Sequence, residues 1–447
     1  MSAPGAGSAE SARIDRRVAL RIIPSVFLLF FVAYTDRIAL SYAGPAGMNT
    51  ELGLTSTAFG FAAGIFFVGY LLVEIPSNII MQRVGARRWL ARIIVSWGVV
   101  QVAMAFAPNA EILYVLRFLL GVAEGGFAPG VILYLTLWFS SAYRGRALSR
   151  FLVAPVTASI VGAPLAIGLI AAGNSAQLFG LSGWRFLILV TGVPAVILGV
   201  VTWFYLADGP EKARWLSRAE RDDIAARLAD TQGHEVNTGG VKEALRDRRV
   251  WLLGLCNFSF VYGGYTLTFF LPTIVSGFQA QFNVSFTQIQ GALLIAVPFA
   301  VGGAAQLWFG RHTDRRGHIG AHIAAACAFG LVGGLGATLA RDPYTLIAFI
   351  CLMAVGIYAG GTLALILVSN LYVGPGSATA IALVNSIGVP AGFAGPYLTG
   401  WLRDVTGAES IGLILVTVLL VISGVIGIVF DRRRRTPSTP APHEEAV

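Results

Sequence analysis

Apolar runs, each closed by glycine, proline or a short charged knot, recur along the whole chain. A run of roughly 20 apolar residues crosses a bilayer as an α-helix, and the pattern predicts twelve such spans. The first six are predicted at 18–40, 58–81, 89–107, 111–138, 145–171 and 185–206. The second six are predicted at 250–276, 286–309, 320–340, 344–372, 376–400 and 408–430. One polar stretch, Ala207 to Arg249, falls near the midpoint and separates them. Within it, Ser217 followed three residues later by Glu220 predicts a capping box opening a short helix from Ser217 to Asp230. Gly233 to Gly240 reads as a linker. The expected organisation is an N-terminal segment 1–17, a six-helix half 18–206, a central loop 207–249, a second half 250–430 and a basic tail 431–447.

A repeat supports the two halves. Arg83-Val84-Gly85 follows the second span and Arg315-Arg316-Gly317 follows the eighth, 232 positions later, the same offset that separates Val18 from Val250. Duplicated halves of like orientation are a transporter plan in which the substrate site lies between them near the midplane. The fold class expected is therefore all-α integral membrane, twelve helices in two six-helix halves.

Composition sharpens this. Of the 447 residues 56% are hydrophobic and 12% charged, against about a quarter charged in a soluble domain. Eighteen of the charged residues lie between Asp208 and Arg249. A cytosolic enzyme, a secreted disulfide scaffold and a disordered chain are thereby excluded. Cys256, Cys327 and Cys351 sit in apolar runs and read as small core side chains. The net charge of +9 is a matter of topology rather than of nucleic acid. With the N-terminus inside, 27 of the 32 Lys and Arg fall in inner segments and only Arg185, Arg341 and Arg403 at outer boundaries. Both termini are thus expected in the cytoplasm, in a bacterial-type inner membrane. The first span is expected to be a retained helix rather than a cleaved signal, since it carries Asp36 and Arg37 and no small-residue cleavage site follows.

Five ionisable residues lie away from span ends: Asp36, Arg37, Glu74, Arg117 and Glu124, all in the first half. Each costs roughly 2.5–3.5 kcal/mol at depth, so each needs a partner or a role. The second half offers uncharged polar groups instead, among them Asn257, Tyr265, Ser369, Asn370 and Asn385. Tyr34 shares a helix face with Arg37, and Tyr70 with Glu74. Arg117 and Glu124 are seven apart, returning to one face about 10 Å along the axis. In a structural reading, Asp36/Arg37 and Arg117/Glu124 neutralise each other as ion pairs. In a functional reading, Arg37 binds an anionic group while Asp36 and Glu124 take up protons, burial favouring the neutral carboxyl. Glu74, two residues before Pro76, reads as structural.

The loop Arg311-His-Thr-Asp314-Arg315-Arg316-Gly317 resembles the signature loop of the major facilitator superfamily, with Asp314, Arg315 and Gly317 in its key places. Arg83, Gly85 and Arg87 form a weaker copy in which Gln82 stands where the signature has Asp. Tyr34-Thr-Asp36-Arg37, Glu74-Ile-Pro76-Ser-Asn78, Arg117-Phe-Leu-Leu-Gly-Val-Ala-Glu124, Tyr134-Leu-Thr-Leu-Trp138, Gly183-Trp184-Arg185-Phe186 and Gly395-Pro396-Tyr397 together resemble the anion:cation symporter family. The similarity extends to its bacterial tartrate, phthalate and hydroxyphenylacetate permeases. The resemblance implies that Arg37 meets a substrate carboxylate, that Asp36 and Glu124 carry coupling protons, that Arg117 pairs with Glu124 or helps bind the anion, and that Tyr34, Tyr70 and Asn385 line the site. Thr191 and Phe270 depart from an acidic residue and a Trp common in look-alikes, and Val389-Pro390-Ala391 interrupts a run after Asn385.

The expected function is proton-coupled uptake of a small organic anion, such as a hydroxy-dicarboxylate, sugar acid or aromatic carboxylate, by a monomer without cofactor or metal. Export by proton antiport is the alternative, although the fifth span reads Val161-Gly162-Ala163-Pro164-Leu165 without the Gly-Pro pair of superfamily antiporters. No metallopeptidase, nucleophile-elbow or Walker pattern is present. His312, His318 and His322 read as loop histidines, and Lys212 and Lys242, the only lysines, lie in the central loop.

Overall fold

The computed structural model describes residues 6–139, 141–177, 180–232, 241–372, 377–408 and 411–435, and among these every regular element is helical. The first six spans are Ala6–Ala43, Ser56–Val84, Ala86–Met104, Ala110–Glu124 with Phe127–Thr136, Ser141–Phe151 with Ala154–Ala176, and Gly183–Tyr205. The second six are Arg248–Ser276, Gln288–Arg316, Ile319–Leu339, Pro343–Leu371, Ser377–Gly388 with Ala391–Thr406, and Ile411–Arg435. Eleven helices among the described residues are apolar and long enough to cross a membrane. The remaining one, Ala86–Met104, carries Arg87, Arg88 and Arg92 in its first two turns, which dilutes its apolar run without ending the helix.

Three spans expected to be continuous are broken. The fourth breaks at Gly125–Gly126, where Gly126 takes φ +88° and a Cβ would stand 2.5 Å from the Ser77 hydroxyl. The fifth breaks between Phe151 and Ala154, and the eleventh at Val389–Pro390, since proline cannot donate a helix hydrogen bond. The outer helices also overrun their predicted ends. The first starts at Ala6, inside the segment read as N-terminal, and the last extends its backbone through the basic run to Arg435. The capping box forms as the spacing predicts: the Ser217 N–H donates to Glu220 at 2.8 Å and the Glu220 N–H to the Ser217 hydroxyl at 3.2 Å, opening the helix Arg218–Gln232. The linker 233–240 and the end of the tail lie outside the described residues.

The central loop fastens the first half at the face that bears the termini. Arg17 donates to Glu220 at 2.9 Å and Arg227 to Asp15 at 2.8 Å. Trp215 stacks on Trp138 with ring centroids 5.7 Å apart. The signature-loop glycines show why they are glycine. Gly85 has φ +97°, and a Cβ there would lie 2.6 Å from an Asp208 oxygen. That oxygen accepts from the Arg87 N–H at 3.0 Å and so caps the third span. Asp208 thus supplies the carboxylate missing at Gln82. In the second half Gly317 takes φ +67°, and His318 approaches Asp431 of the last span at 3.7 Å. Arg83, Asp314 and Arg315 are exposed.

At the opposite face the two halves lock together. A Cβ at Gly60 would run into the Pro396 backbone, so the second and eleventh spans touch main chain to main chain. Phe59 meets Phe270 edge-on at 5.8 Å, which places the unusual Phe270 in this seal. Asp404 accepts from the Ser56 and Thr57 N–H groups at 3.1 and 2.7 Å and from the Thr57 hydroxyl at 2.6 Å.

Candidate functional site

Four charges collect in the core of the first half: Asp36 and Glu124 are each 2% exposed, Arg37 9% and Arg117 0%. Their pairing differs from the one expected. One Arg37 nitrogen donates to Glu124, joining the first span to the fourth, and the other donates to the Tyr265 hydroxyl of the seventh span at 3.2 Å. Asp36, one residue away, faces elsewhere and accepts from the Trp97 indole at 3.1 Å. Adjacent residues on a helix point about 100° apart and cannot share a partner face. Arg117 forms no ion pair with Glu124. It donates through two of its three nitrogens to the Ala62 and Ala63 carbonyls at 3.0 and 3.2 Å, an intramembrane arginine held by backbone. Its span approaches the second closely because Gly121 lies against the Phe66 backbone.

Arg37 sits in an aromatic cage. Its guanidinium carbon lies 5.8 Å from the Tyr34 ring, 4.9 Å from Phe66, 5.9 Å from Phe67 and 5.8 Å from Tyr70, within the range of cation–π attraction. Phe67 in turn packs on Tyr265 at 4.4 Å, so the cage spans both halves. Behind Asp36, Gln101 donates to Thr191 at 3.3 Å, which gives that departure from the look-alikes a neutral hydrogen-bonding role.

A cavity of about 270 Å³ opens between the halves beside this cluster. Tyr34 and Tyr265, both in contact with Arg37, form one wall. Asn257, Gln306, Tyr358 and Thr362 supply its other polar groups. Asn257 is buried and donates to the Val384 carbonyl at 3.2 Å, tying the seventh span to the eleventh. The structure therefore brings together Arg37, Tyr34, Tyr70, Glu124 and Tyr265, with Asp36 and Arg117 behind them and Asn257 across the cavity. It does not bring in Ser369, Asn370 or Asn385. All three are exposed, and the tenth span leaves the cavity at Leu365, a turn before Ser369. Glu74 is half-buried and stands apart, its carbonyl accepting from Asn78 at 2.7 Å.

Sequence reasoning missed Trp97, Gln306 and Tyr358. Each is a lone hydrogen-bonding side chain in an apolar run, the same signal that picked out Asn257. The three histidines form no metal cluster among the described residues. His312 and His322 hydrogen-bond each other at 2.8 Å.

Two six-helix halves around a polar cavity with a buried ion pair beside it define a polytopic membrane transporter. The chain belongs to the Major Facilitator Superfamily, whose sequence profile matches residues 26–372; the fold and family are those of transporters rather than enzymes. Among curated relatives, a protein named "Putative tartrate transporter" of Agrobacterium vitis is 39% identical over 94% of this chain and 95% of its own. A "Quinolone resistance transporter" of Acinetobacter baumannii is 33% identical over 91% and 92%. Among solved structures, the bacterial homologue of the human lysosomal transporter Spinster, in an inward-facing unoccupied conformation, superposes with a TM-score of 0.73 at 15% identity. That match covers 95% of this chain and 99% of the other, and it speaks to the fold alone.

Proposed function

We propose that the protein is a proton-coupled symporter that takes a small organic anion into the cell by alternating access. The observation that carries this reading is the buried Arg37–Glu124 pair, set against a hydroxyl of the other half. With the site empty, Glu124 occupies Arg37. When Glu124 takes a proton the guanidinium is released, and a substrate carboxylate replaces it as a charge-assisted, two-pronged partner. Arg37 also holds Tyr265, so the exchange is felt across the inter-half boundary. Asp36, neighbouring Arg37 but turned to Trp97, is the second proton carrier. Supporting the substrate class are the relative named for tartrate and the position of Arg37, a buried cation against Tyr34 and Tyr265 of the cavity wall. On this reading the protein works as a monomer in a bacterial-type inner membrane with both termini in the cytoplasm, an orientation that the distribution of basic residues supports.

The test is uptake of labelled tartrate, a sugar acid and an aromatic acid into reconstituted vesicles with an imposed pH gradient. Accumulation should follow the gradient, and transport indifferent to it sinks the coupling. Asp36→Asn should still bind the anion yet lose gradient-driven accumulation.

A second reading, export by proton antiport, draws on the relative named for quinolone resistance. Against it stand the anion-binding arginine in the cage and the missing Gly-Pro pair in the fifth span. Proton-driven quinolone accumulation in everted vesicles would favour it.

A further inference from the structure

The charge layout around the cavity narrows the anion, on the reading that a substrate carboxylate sits at Arg37. From Val250 to Gly310 and from Pro343 to Leu402 the chain contains no Asp, Glu, Lys, Arg or His. The seventh, eighth and tenth spans therefore wall the cavity with neutral groups only: Asn257, Tyr265, Gln306, Tyr358 and Thr362. The one other cation at this depth, Arg117, is fully buried and committed to the Ala62 and Ala63 carbonyls. A ligand anchored at Arg37 thus projects its far end toward a surface that has no charge to offer.

When the halves close over the ligand, a second carboxylate there would lose water without a cation to meet it, which is costly. Hydroxyl groups face no such penalty. Asn, Gln, Tyr and Thr side chains each donate and accept, which matches a chain of hydroxyls that also donate and accept. Phe260, Val261 and Ile357 supply apolar surface for the carbon skeleton. We propose that the transported anion is a hydroxylated monocarboxylate of the aldonate type, and that the cavity discriminates against the corresponding dicarboxylate.

Two ligand pairs differing only at one terminal carbon test this: threonate against tartrate, and gluconate against glucarate. Binding is measured on the purified full-length protein in lipid nanodiscs at neutral pH, where all carboxyls are ionised. The monocarboxylate should bind at least about tenfold more tightly within each pair that binds, a neutral hydrogen-bonding wall accepting the hydroxyl and rejecting the charge. Gln306→Arg, which places a cation on the far wall, should raise dicarboxylate affinity about tenfold or more. Equal or tighter dicarboxylate binding to the unaltered protein overturns the inference and leaves the organic-anion reading standing. Failure of all four acids to bind overturns the inference, and overturns that reading as well if an aromatic carboxylate also fails to bind.

Discussion

Arg37 and Glu124 pair across the first and fourth spans, and neither pairs with the charged residue nearest to it in sequence. Removing one member of a buried pair typically costs about 3–5 kcal/mol, because the other charge is left uncompensated. The two ends are not equivalent. A stranded carboxylate can shed its charge by taking a proton, whereas a guanidinium cannot. Glu124→Gln should therefore lower the unfolding midpoint more than Arg37→Met. The double variant should recover part of the loss, giving a coupling energy of about 3 kcal/mol or more in a double-mutant cycle. Additive losses in the double variant would mean that the pair is energetically idle.

Arg117 and Arg37 look alike in sequence, each a lone arginine in an apolar span, but they are committed differently. Arg117 has no exposed surface and is held by two main-chain carbonyls. Arg37 is held by a carboxylate that, in the proposed cycle, the substrate replaces. Losing a hydrogen bond to a charged group costs about 1.5–3 kcal/mol. Arg37→Met should accordingly weaken anion binding roughly 10- to 150-fold. Arg117→Met should change it by less than about threefold, its effect falling on thermal stability instead. Isothermal titration of both variants separates the roles.

The spans, their number and the two halves were legible in the sequence because apolar length is a one-dimensional property. The breaks in the fourth and eleventh spans were less so, although Gly125-Gly126 and Val389-Pro390 carry the signal. The five intramembrane charges were legible for the same reason that they are costly: they stand out against the background. Their pairing was not, because which helix faces which is set by packing between spans far apart in the chain, such as Gly121 against Phe66. Ser369, Asn370 and Asn385 show the same limit. Depth along a span does not say which way a side chain turns, nor where the span leaves the cavity. Asp208 is a related case, a carboxylate that completes a loop signature more than a hundred residues away.

Outside the membrane, Glu220 links the central loop to the first span. Its carboxyl is held below the usual glutamate range, first by the Ser217 N–H and then by the Ser217 hydroxyl and Arg17. A carboxyl whose value is depressed by folding contributes stability above its unfolded value and loses that contribution as pH falls through its folded value. Acidification below about pH 4, near the ordinary glutamate value, should thus loosen the helix Arg218–Gln232. Amide exchange there, corrected for its intrinsic pH dependence, should rise over that window. In Glu220→Gln the contact should be weak at every pH and the rise absent.

Asp404 closes the face opposite the termini by capping a helix that belongs to the other half. Its two oxygens accept the Ser56 and Thr57 N–H groups and the Thr57 hydroxyl, so a residue of the eleventh span satisfies the open N-terminus of the second. The contact exists only while the halves meet at that face. Its contribution therefore biases the equilibrium between conformations as well as the stability of either one. A helix cap is worth about 0.5–2 kcal/mol, typically ~1, and about 1.4 kcal/mol is tenfold in population. Asp404→Ala should shift the balance toward the state open at that face by roughly 2- to 30-fold. Spin labels at the exposed Thr50 and Val405, beside the contact on the two halves, should report a longer-distance population in the variant. An Asp404→Asn variant keeps one accepting oxygen and should lie between the two. An unchanged distance distribution in Asp404→Ala would show that the seal rests on the Gly60–Pro396 and Phe59–Phe270 contacts alone.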